Sequence, residues 1–125
     1  MRFLFAAFAA AATLGCAPMA ATPAPTHGLG ADMLAAMRAD AARRTGAADD
    51  AVRVASVQPV TWPDASIGCP QPGMAYAQML VPGWLVRLEA GGRQLGYHAA
   101  RGGRWVMCPP EQAQPPLATQ DDPRV

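Results

Sequence analysis

Two alternating apolar segments flank a Gly-Gly pair, and this arrangement constrains the fold more than any other feature of the sequence. The segments are WLVRLEA and RQLGYHA, with Gly91-Gly92 between them. Two adjacent glycines supply the positive φ angles of a two-residue hairpin turn, so the pattern predicts an antiparallel hairpin. Closing the turn there pairs Val86 with Tyr97 on an apolar face. The same register places His98 opposite Leu85 on the other face.

A second turn within residues 101–104 leads to a further short strand, WVMC. For a turn of two residues, alternation puts Cys108 on the core face of the hairpin. Trp105 then joins His98 on the opposite face. Because the core face is buried, this placement favours a buried cross-link to Cys108.

The residues before the hairpin predict one helix and then a strand. Asp32 is a suitable N-cap, apolar side chains follow helical spacing from Met33 to Ala41, and Gly46 can end the helix in the left-handed conformation. The segment AVRVASVQPVTW then alternates, and its polar interruptions and Pro59 predict a bulged or edge strand. The residues expected on its apolar face are Val52, Val54, Val60 and Trp62.

These elements together predict a small α+β domain, in which one N-terminal helix packs on an antiparallel sheet of four to five strands. The fifth strand would be residues 74–81, which we expect to meet the hairpin through a turn at Pro82-Gly83. The domain spans residues 31–108. Residues 109–125 are Pro-rich, polar and unpatterned, and they predict a disordered tail.

The N-terminal residues predict export. Residues 1–15 carry one cation and then an apolar run that is too short to span a bilayer, which is typical of a signal peptide. The stretch Thr13-Leu-Gly-Cys resembles the bacterial lipobox, whose cysteine, here Cys16, is lipidated and becomes the mature N-terminus. This resemblance, with Ala17 next, implies an outer-membrane lipoprotein facing the periplasm, with residues 16–30 as lipidated N-terminus and flexible tether. Ordinary signal cleavage instead would leave a periplasmic or secreted protein.

The remaining two cysteines, Cys69 and Cys108, predict a disulfide, because thiols in one small exported domain pair in an oxidising compartment. Closing a loop of about 39 residues would stabilise the fold by roughly 4 kcal/mol. The alternatives are a metal site and a catalytic thiol. Neither cysteine belongs to a CxxC pair, and the only histidines are His27 and His98, so a fourth metal ligand at recognisable spacing is missing.

The stretch WPDASIGCPQPG, residues 62–73, predicts a rigid corner that ends the strand and brings Cys69 to Cys108. Its Trp-Pro-Asp-x-Ser-x-Gly-Cys-Pro pattern, followed by Tyr97-His98 and the closing cysteine, resembles a recurrent block in uncharacterised exported bacterial proteins and lipoproteins. The resemblance implies a compartment and no particular activity. The order of elements is also loosely similar to PepSY and cystatin arrangements, which include protease-inhibitory and protein-binding modules.

The charge balance argues against a nucleic-acid partner, since ten Arg face nine acidic residues and no basic stripe stands out. We expect no cofactor and no metal. The first functional hypothesis is therefore a non-enzymatic binding or structural module that is held at the membrane. Its partner would be a protein of the cell envelope. Its candidate surface comprises Asp64, Ser66, Tyr76, Gln78, His98 and Trp105.

Two further hypotheses stay open. The loop of residues 64–72 could enter the cleft of an exported protease as an inhibitor, with a disulfide at its base that preorganises it. Alternatively, the protein is a small hydrolase that uses Ser66 or Cys69 with His98 and Asp64. The expected placement of His98 and the disulfide on opposite sheet faces speaks against this hydrolase.

Overall fold

The computed structural model describes residues 15–17 and 25–118. The predicted signal peptide, except for Gly15, and residues 18–24 of the predicted tether lie outside the described residues. A helix, α1 (Ala31–Thr45), and a short 3₁₀ helix (Asp49–Ala51) precede four strands, which are β1 (Arg53–Trp62), β2 (Val81–Ala90), β3 (Arg93–Ala100) and β4 (Trp105–Cys108). The strands form one antiparallel sheet in chain order, so the predicted α+β class is confirmed. Within the described ranges, no helix has the length and apolar character to cross a membrane.

The β2–β3 hairpin has the predicted register. Val86 lies opposite Tyr97 across the turn at Gly91-Gly92. The two glycines have φ values of 57° and 73°, as a type I′ turn requires. His98 lies opposite Leu85, and this pair is on the sheet face away from α1.

Helix α1 packs on the other sheet face and buries Met37 completely. The predicted N-cap at Asp32 is wrong, because the helix begins after Gly30 and Asp32 lies in its first turn. Gly46 ends the helix at a φ of 74°, as expected. The helix-side core consists of Leu29, Met37, Ala41, Ala42, Val52, Val57, Trp84, Val86, Leu88, Ala90, Leu95, Tyr97 and Ala99.

A hydrogen bond also joins the helix to the sheet. The Tyr97 hydroxyl donates to Asp40 Oδ2 at 2.8 Å, and Arg44 Nε lies 2.6 Å from the same oxygen. Burial raises the pKa of Asp40, but the hydrogen bonds from Arg44 and Tyr97 outweigh burial and hold this pKa below its usual value. Asp40 therefore stays ionised near neutral pH.

Strand β1 is a bulged edge strand, as predicted, but its faces differ from the prediction. The register with β2 shifts at Ala55. A bulge adds one residue to the strand, so the alternation is inverted after it. Val57 consequently packs on the helix side, whereas Val60 and Trp62 pack on the other face. The expectation that Val60 and Trp62 share a face with Val54 is wrong.

The Ala100 amide donates to the Arg104 carbonyl at 2.8 Å, and this closing pair encloses a β3–β4 loop of three residues instead of the two expected. Residues 101–103 form it, and Gly103 has a φ of 110°. Three-residue hairpin loops commonly place a glycine at such a positive φ. The extra residue inverts the alternation, so Cys108 lies on the face of His98 and Trp105 packs on the helix side. Both placements correct the prediction.

The sheet face opposite α1 has a small core of its own, which residues 62–73 cover. We call these residues the corner. The outer-face core consists of Val60, Trp62, Ile67 and Ala100, with Val81, Leu85 and Val106 against it. The sheet therefore supports two separate apolar clusters, and the corner belongs to the smaller one.

The additional strand expected at residues 74–81 is absent from the described residues. Residues 74–80, which we call the connector, have no strand pairing, and β2 begins at Val81. Pro82-Gly83 lies inside β2 and forms no turn, since Gly83 pairs with Val60 of β1. The sheet therefore has four strands.

The folded body extends beyond both predicted boundaries. Leu29 is 4% exposed in the helix-side core, and Trp84 Nε1 donates to the His27 carbonyl at 3.0 Å. At the other end, residues 109–118, which we call the C-terminal segment, bind the corner and β1. The Leu117 amide donates to the Thr61 carbonyl at 2.9 Å. The expectation of disorder is wrong for this segment, and residues 119–125 lie outside the described residues.

Two strand glycines allow a matched test of packing. A Cβ at Gly83 would collide with the Ala99 carbonyl, whereas a Cβ at Gly96 has the Cys108 carbonyl as its nearest neighbour at 3.8 Å. We expect Gly83→Ala to lower the free energy of unfolding by about 1–3 kcal/mol, because the strands must separate. Gly96→Ala should change it by less than about 0.5 kcal/mol. Urea unfolding measures both, and equal losses would contradict this account.

Candidate functional site

The corner consists of two consecutive tight turns. Asp64 Oδ1 accepts a hydrogen bond from the Ser66 amide at 2.8 Å, which forms an Asx turn. Hydrogen bonds from the side chain and the backbone of Ser66 hold the pKa of Asp64 below its usual value. In the second turn the Cys69 amide donates to the Ser66 carbonyl at 3.1 Å. Ile67 and Gly68 between them have φ values of 50° and 71°, which defines a type I′ turn.

Ile67 is an unusual residue for this turn, because a β-branched side chain at positive φ costs about 1–3 kcal/mol. Its side chain is 1% exposed in the outer-face core, and this burial offsets the cost. Gly68 beside it leaves no room for a side chain. A Cβ there would meet the Trp62 ring and lie 2.7 Å from the Gln114 carbonyl.

His98 of β3 contacts the corner from the outer face of the sheet. Its side chain is 3% exposed, and Nδ1 lies 2.7 Å from the Ile67 carbonyl. A carbonyl only accepts hydrogen bonds, so Nδ1 carries the proton and Nε2 is unprotonated in the neutral ring. The ring stacks on Trp62, with centroids 4.5 Å apart. Burial lowers the pKa of His98, the hydrogen bond to Ile67 opposes this, and the nearby charge of Arg87 lowers the pKa further.

The predicted disulfide between Cys69 and Cys108 is confirmed, with the two Cα atoms 5.7 Å apart and both residues buried. It joins the corner to β4 on the face of His98. A second attachment comes from Arg104, whose guanidinium donates to the Ala65 carbonyl. The C-terminal segment provides a third attachment, because the Gln114 amide donates a hydrogen bond to the Gly68 carbonyl. The corner is therefore fixed by covalent, side-chain and backbone contacts.

The six residues expected to form a binding surface do not share one surface. Ser66 is buried in the corner, and His98 is buried on β3 against it. Trp105 lies on the other sheet face, with its ring centroid 5.8 Å from that of Tyr97. Asp64 is half-buried in its turn, Tyr76 is half-buried and accepts a hydrogen bond from the Gln71 amide, and Gln78 is exposed. Four of them, Asp64, Ser66, Tyr76 and Gln78, belong to the corner and the connector.

The residues of the hypothetical hydrolase are close in space, and each has a structural partner. Cys69 is in the disulfide, His98 Nδ1 binds the Ile67 carbonyl, and Asp64 binds the Ser66 amide. The expected separation of His98 and the disulfide on opposite faces is wrong, since both lie on the outer face. Within residues 15–17 and 25–118, no three His, Cys, Asp or Glu side chains group closely enough to hold a metal ion.

A groove of about 400 Å³ opens on the outer face beside His98. Arg87 and Gln94 line it from the sheet, and the C-terminal segment lines its other side. Sequence reasoning missed this groove because one of its walls was expected to be disordered. The alternation of the hairpin did hold a signal, since it places Arg87 and Gln94 on the face of His98.

The connector carries the three large apolar side chains with the highest exposed fractions among the described residues. Met74 is 63% exposed, Met79 58% and Leu80 63%. Sequence reasoning missed them because it assigned these residues to a strand. Their only signal was the absence of strict alternation in MAYAQML.

Residues 34–108 match the domain family described as Domain of unknown function (DUF8738). The match covers more than half of the chain. The chain belongs to the DUF8738 family. The match includes α1 from Leu34 onward, the four strands and both cysteines of the disulfide, so the corner lies inside the DUF8738 domain. No curated protein and no solved structure matches the chain.

Burial of neutral His98 predicts that the DUF8738 domain loses stability on acidification. Since the fold lowers the pKa of His98 from 6.5, the unfolded chain binds the proton more readily, and stability present above pH 6.5 is lost as pH falls below it. The charged group that faces His98 is Arg87, and the disulfide does not titrate. We expect the free energy of unfolding to fall between pH 7.5 and 5.5.

The matched variants are His98→Gln and His27→Gln, since His27 is exposed. His98→Gln should unfold more easily at pH 7.5, by about 1–3 kcal/mol, because it loses a buried hydrogen bond. Its stability should then change little down to pH 5.5, whereas His27→Gln should keep the pH dependence of the original protein. Urea unfolding at each pH measures this. A pH dependence that survives in His98→Gln would refute the assignment.

Proposed function

We propose that the protein is a lipid-anchored binding module of the bacterial cell envelope, which contacts a partner protein through the connector. It is attached to the outer membrane through Cys16 and faces the periplasm. It has no catalytic activity of its own. The observation that carries the proposal is the exposure of three apolar side chains, Met74, Met79 and Leu80, on a connector that is fixed at both ends.

The geometry of the connector supports binding to a protein. Large apolar side chains that are exposed to solvent on one short segment are typical of interaction surfaces, and methionine side chains adapt to different partners. The Ala77 carbonyl accepts a hydrogen bond from the Ala65 amide at 3.0 Å, and the Tyr76 hydroxyl accepts one from the Gln71 amide at 2.9 Å. These bonds order the connector before binding, so association costs less conformational entropy.

The cysteines support placement in the envelope. Disulfides persist in oxidising compartments, and Cys69 and Cys108 are paired. Cys16 is exposed and takes no part in this bond, which leaves its thiol free for a lipid. The folded body begins by Leu29, so the residues between Cys16 and Leu29 would serve as the tether.

The roles of the polar residues support a non-enzymatic function. The side chains that could supply a nucleophile or a base at the corner hold the backbone in its turns and close the disulfide. The inhibitor alternative finds less support, because Ser66 to Cys69 are buried and only residues 71 and 72 of the loop are exposed. Inhibition of an exported protease stays a prediction, which a panel of such proteases tests.

Cross-linking in intact cells, followed by membrane fractionation, tests the proposed function. One variant carries Met74→Ser, Met79→Ser and Leu80→Ser together. We expect the amount of partner cross-linked to this variant to fall at least tenfold, because the apolar contact area is removed. Its free energy of unfolding should stay within about 1 kcal/mol of the original, since the replaced side chains are exposed.

Two controls separate the parts of the proposal. Leu117→Ser removes an apolar side chain that is 43% exposed but lies outside the connector, and it should leave cross-linking unchanged. Cys16→Ser should move the protein from the membrane fraction to the soluble fraction. Full cross-linking of the triple variant would refute the binding surface, and membrane retention of Cys16→Ser would refute the anchor.

A further inference from the structure

The groove beside His98 has a positively charged group and no negatively charged one. Arg87 lines it, and none of its lining residues is acidic. Among the described residues Arg87 forms no ion pair, whereas Glu89, two positions along the same face of β2, is paired with Arg53 at 2.9 Å. The guanidinium of Arg87 is therefore available for an anion.

Neutral polar groups accompany this cation. Gln94 lines the groove from β3, and its side-chain amide can donate hydrogen bonds. His98 lines it as well, and because Nδ1 is bound to the Ile67 carbonyl, Nε2 is its remaining hydrogen-bonding atom. One formal charge from Arg87 matches one negative charge on a ligand, whereas a dianionic phosphate would leave a charge uncompensated.

Apart from Gln114 of the C-terminal segment, the other side chains that line the groove are apolar. Leu85 contributes from the sheet, Ala113 and Pro116 contribute from the C-terminal segment, and Cys108 contributes from the disulfide. A cavity of about 400 Å³ is within the range of sites that hold small molecules. Such walls favour an apolar body attached to the negatively charged group.

We propose that this groove binds a small monocarboxylate with an apolar body. The carboxylate pairs with the guanidinium of Arg87, whose planar fork matches a carboxylate in two parallel hydrogen bonds. The body lies against Leu85 and the C-terminal segment. This binding site uses residues other than the connector, so it adds a small-molecule function to the proposed protein contact and does not depend on it.

Titration of the oxidised protein with hexanoate, followed by NMR, tests this proposal. We expect the backbone amides of Gln94 and Gly96 to shift in a saturable manner. Arg87→Gln should raise the dissociation constant for hexanoate at least tenfold, because it removes a charge-assisted hydrogen bond. Arg93→Gln is the matched control on the same hairpin, outside this groove, and should leave the dissociation constant unchanged.

Two other probes define the chemistry. Hexanamide has the same body without the charge and should bind at least tenfold more weakly, and inorganic phosphate should not compete with hexanoate. The proposal is overturned if hexanamide binds as tightly as hexanoate, if phosphate displaces hexanoate, or if Arg87→Gln binds hexanoate like the original protein. Shifts confined to the connector would overturn it as well.

Discussion

The disulfide between Cys69 and Cys108 is the constraint on which the outer face of the sheet depends. It joins the corner to the last strand across 39 residues, and closing such a loop stabilises the fold by roughly 4 kcal/mol in the chain-entropy model. The bond lies beside His98, whose ring supports the strained turn at Ile67 through a hydrogen bond and a stack on Trp62. Covalent and non-covalent contacts thus hold the same few backbone atoms.

This arrangement explains how a sheet with a single helix avoids an open apolar face. Helix α1 covers one side, and the corner and the C-terminal segment cover part of the other. Backbone hydrogen bonds from the amides of Gln114 and Leu117 hold the C-terminal segment in this position. The groove beside His98 lies where the C-terminal segment meets the sheet. The connector leaves the corner with its apolar side chains exposed, so both proposed binding sites adjoin the cross-linked region.

Alternation along the sequence predicts the parts of the fold in which a turn has a defined length. Gly91-Gly92 sets the β2–β3 register, so the pairing of Val86 and the face of His98 were predictable. One unrecognised extra residue inverts the alternation, and this happened at Ala55 and again in residues 101–103. The order of the C-terminal segment was not predicted for another reason. Its Pro-rich, polar composition is typical of disordered chain, whereas its order comes from backbone hydrogen bonds, which composition does not reveal. The disulfide was predictable from cysteine count, but not the face it lies on.

The protonation state of His98 tests most directly whether the disulfide and the histidine act together on the corner. We expect ¹⁵N spectra of histidine-labelled, oxidised protein at pH 7.5 to show a proton on Nδ1 of His98 that exchanges slowly with water. In the variant that carries Cys69→Ser and Cys108→Ser, this proton should exchange at least tenfold faster. A proton on Nε2 in the oxidised protein, or equal protection in the variant without the disulfide, would contradict the account.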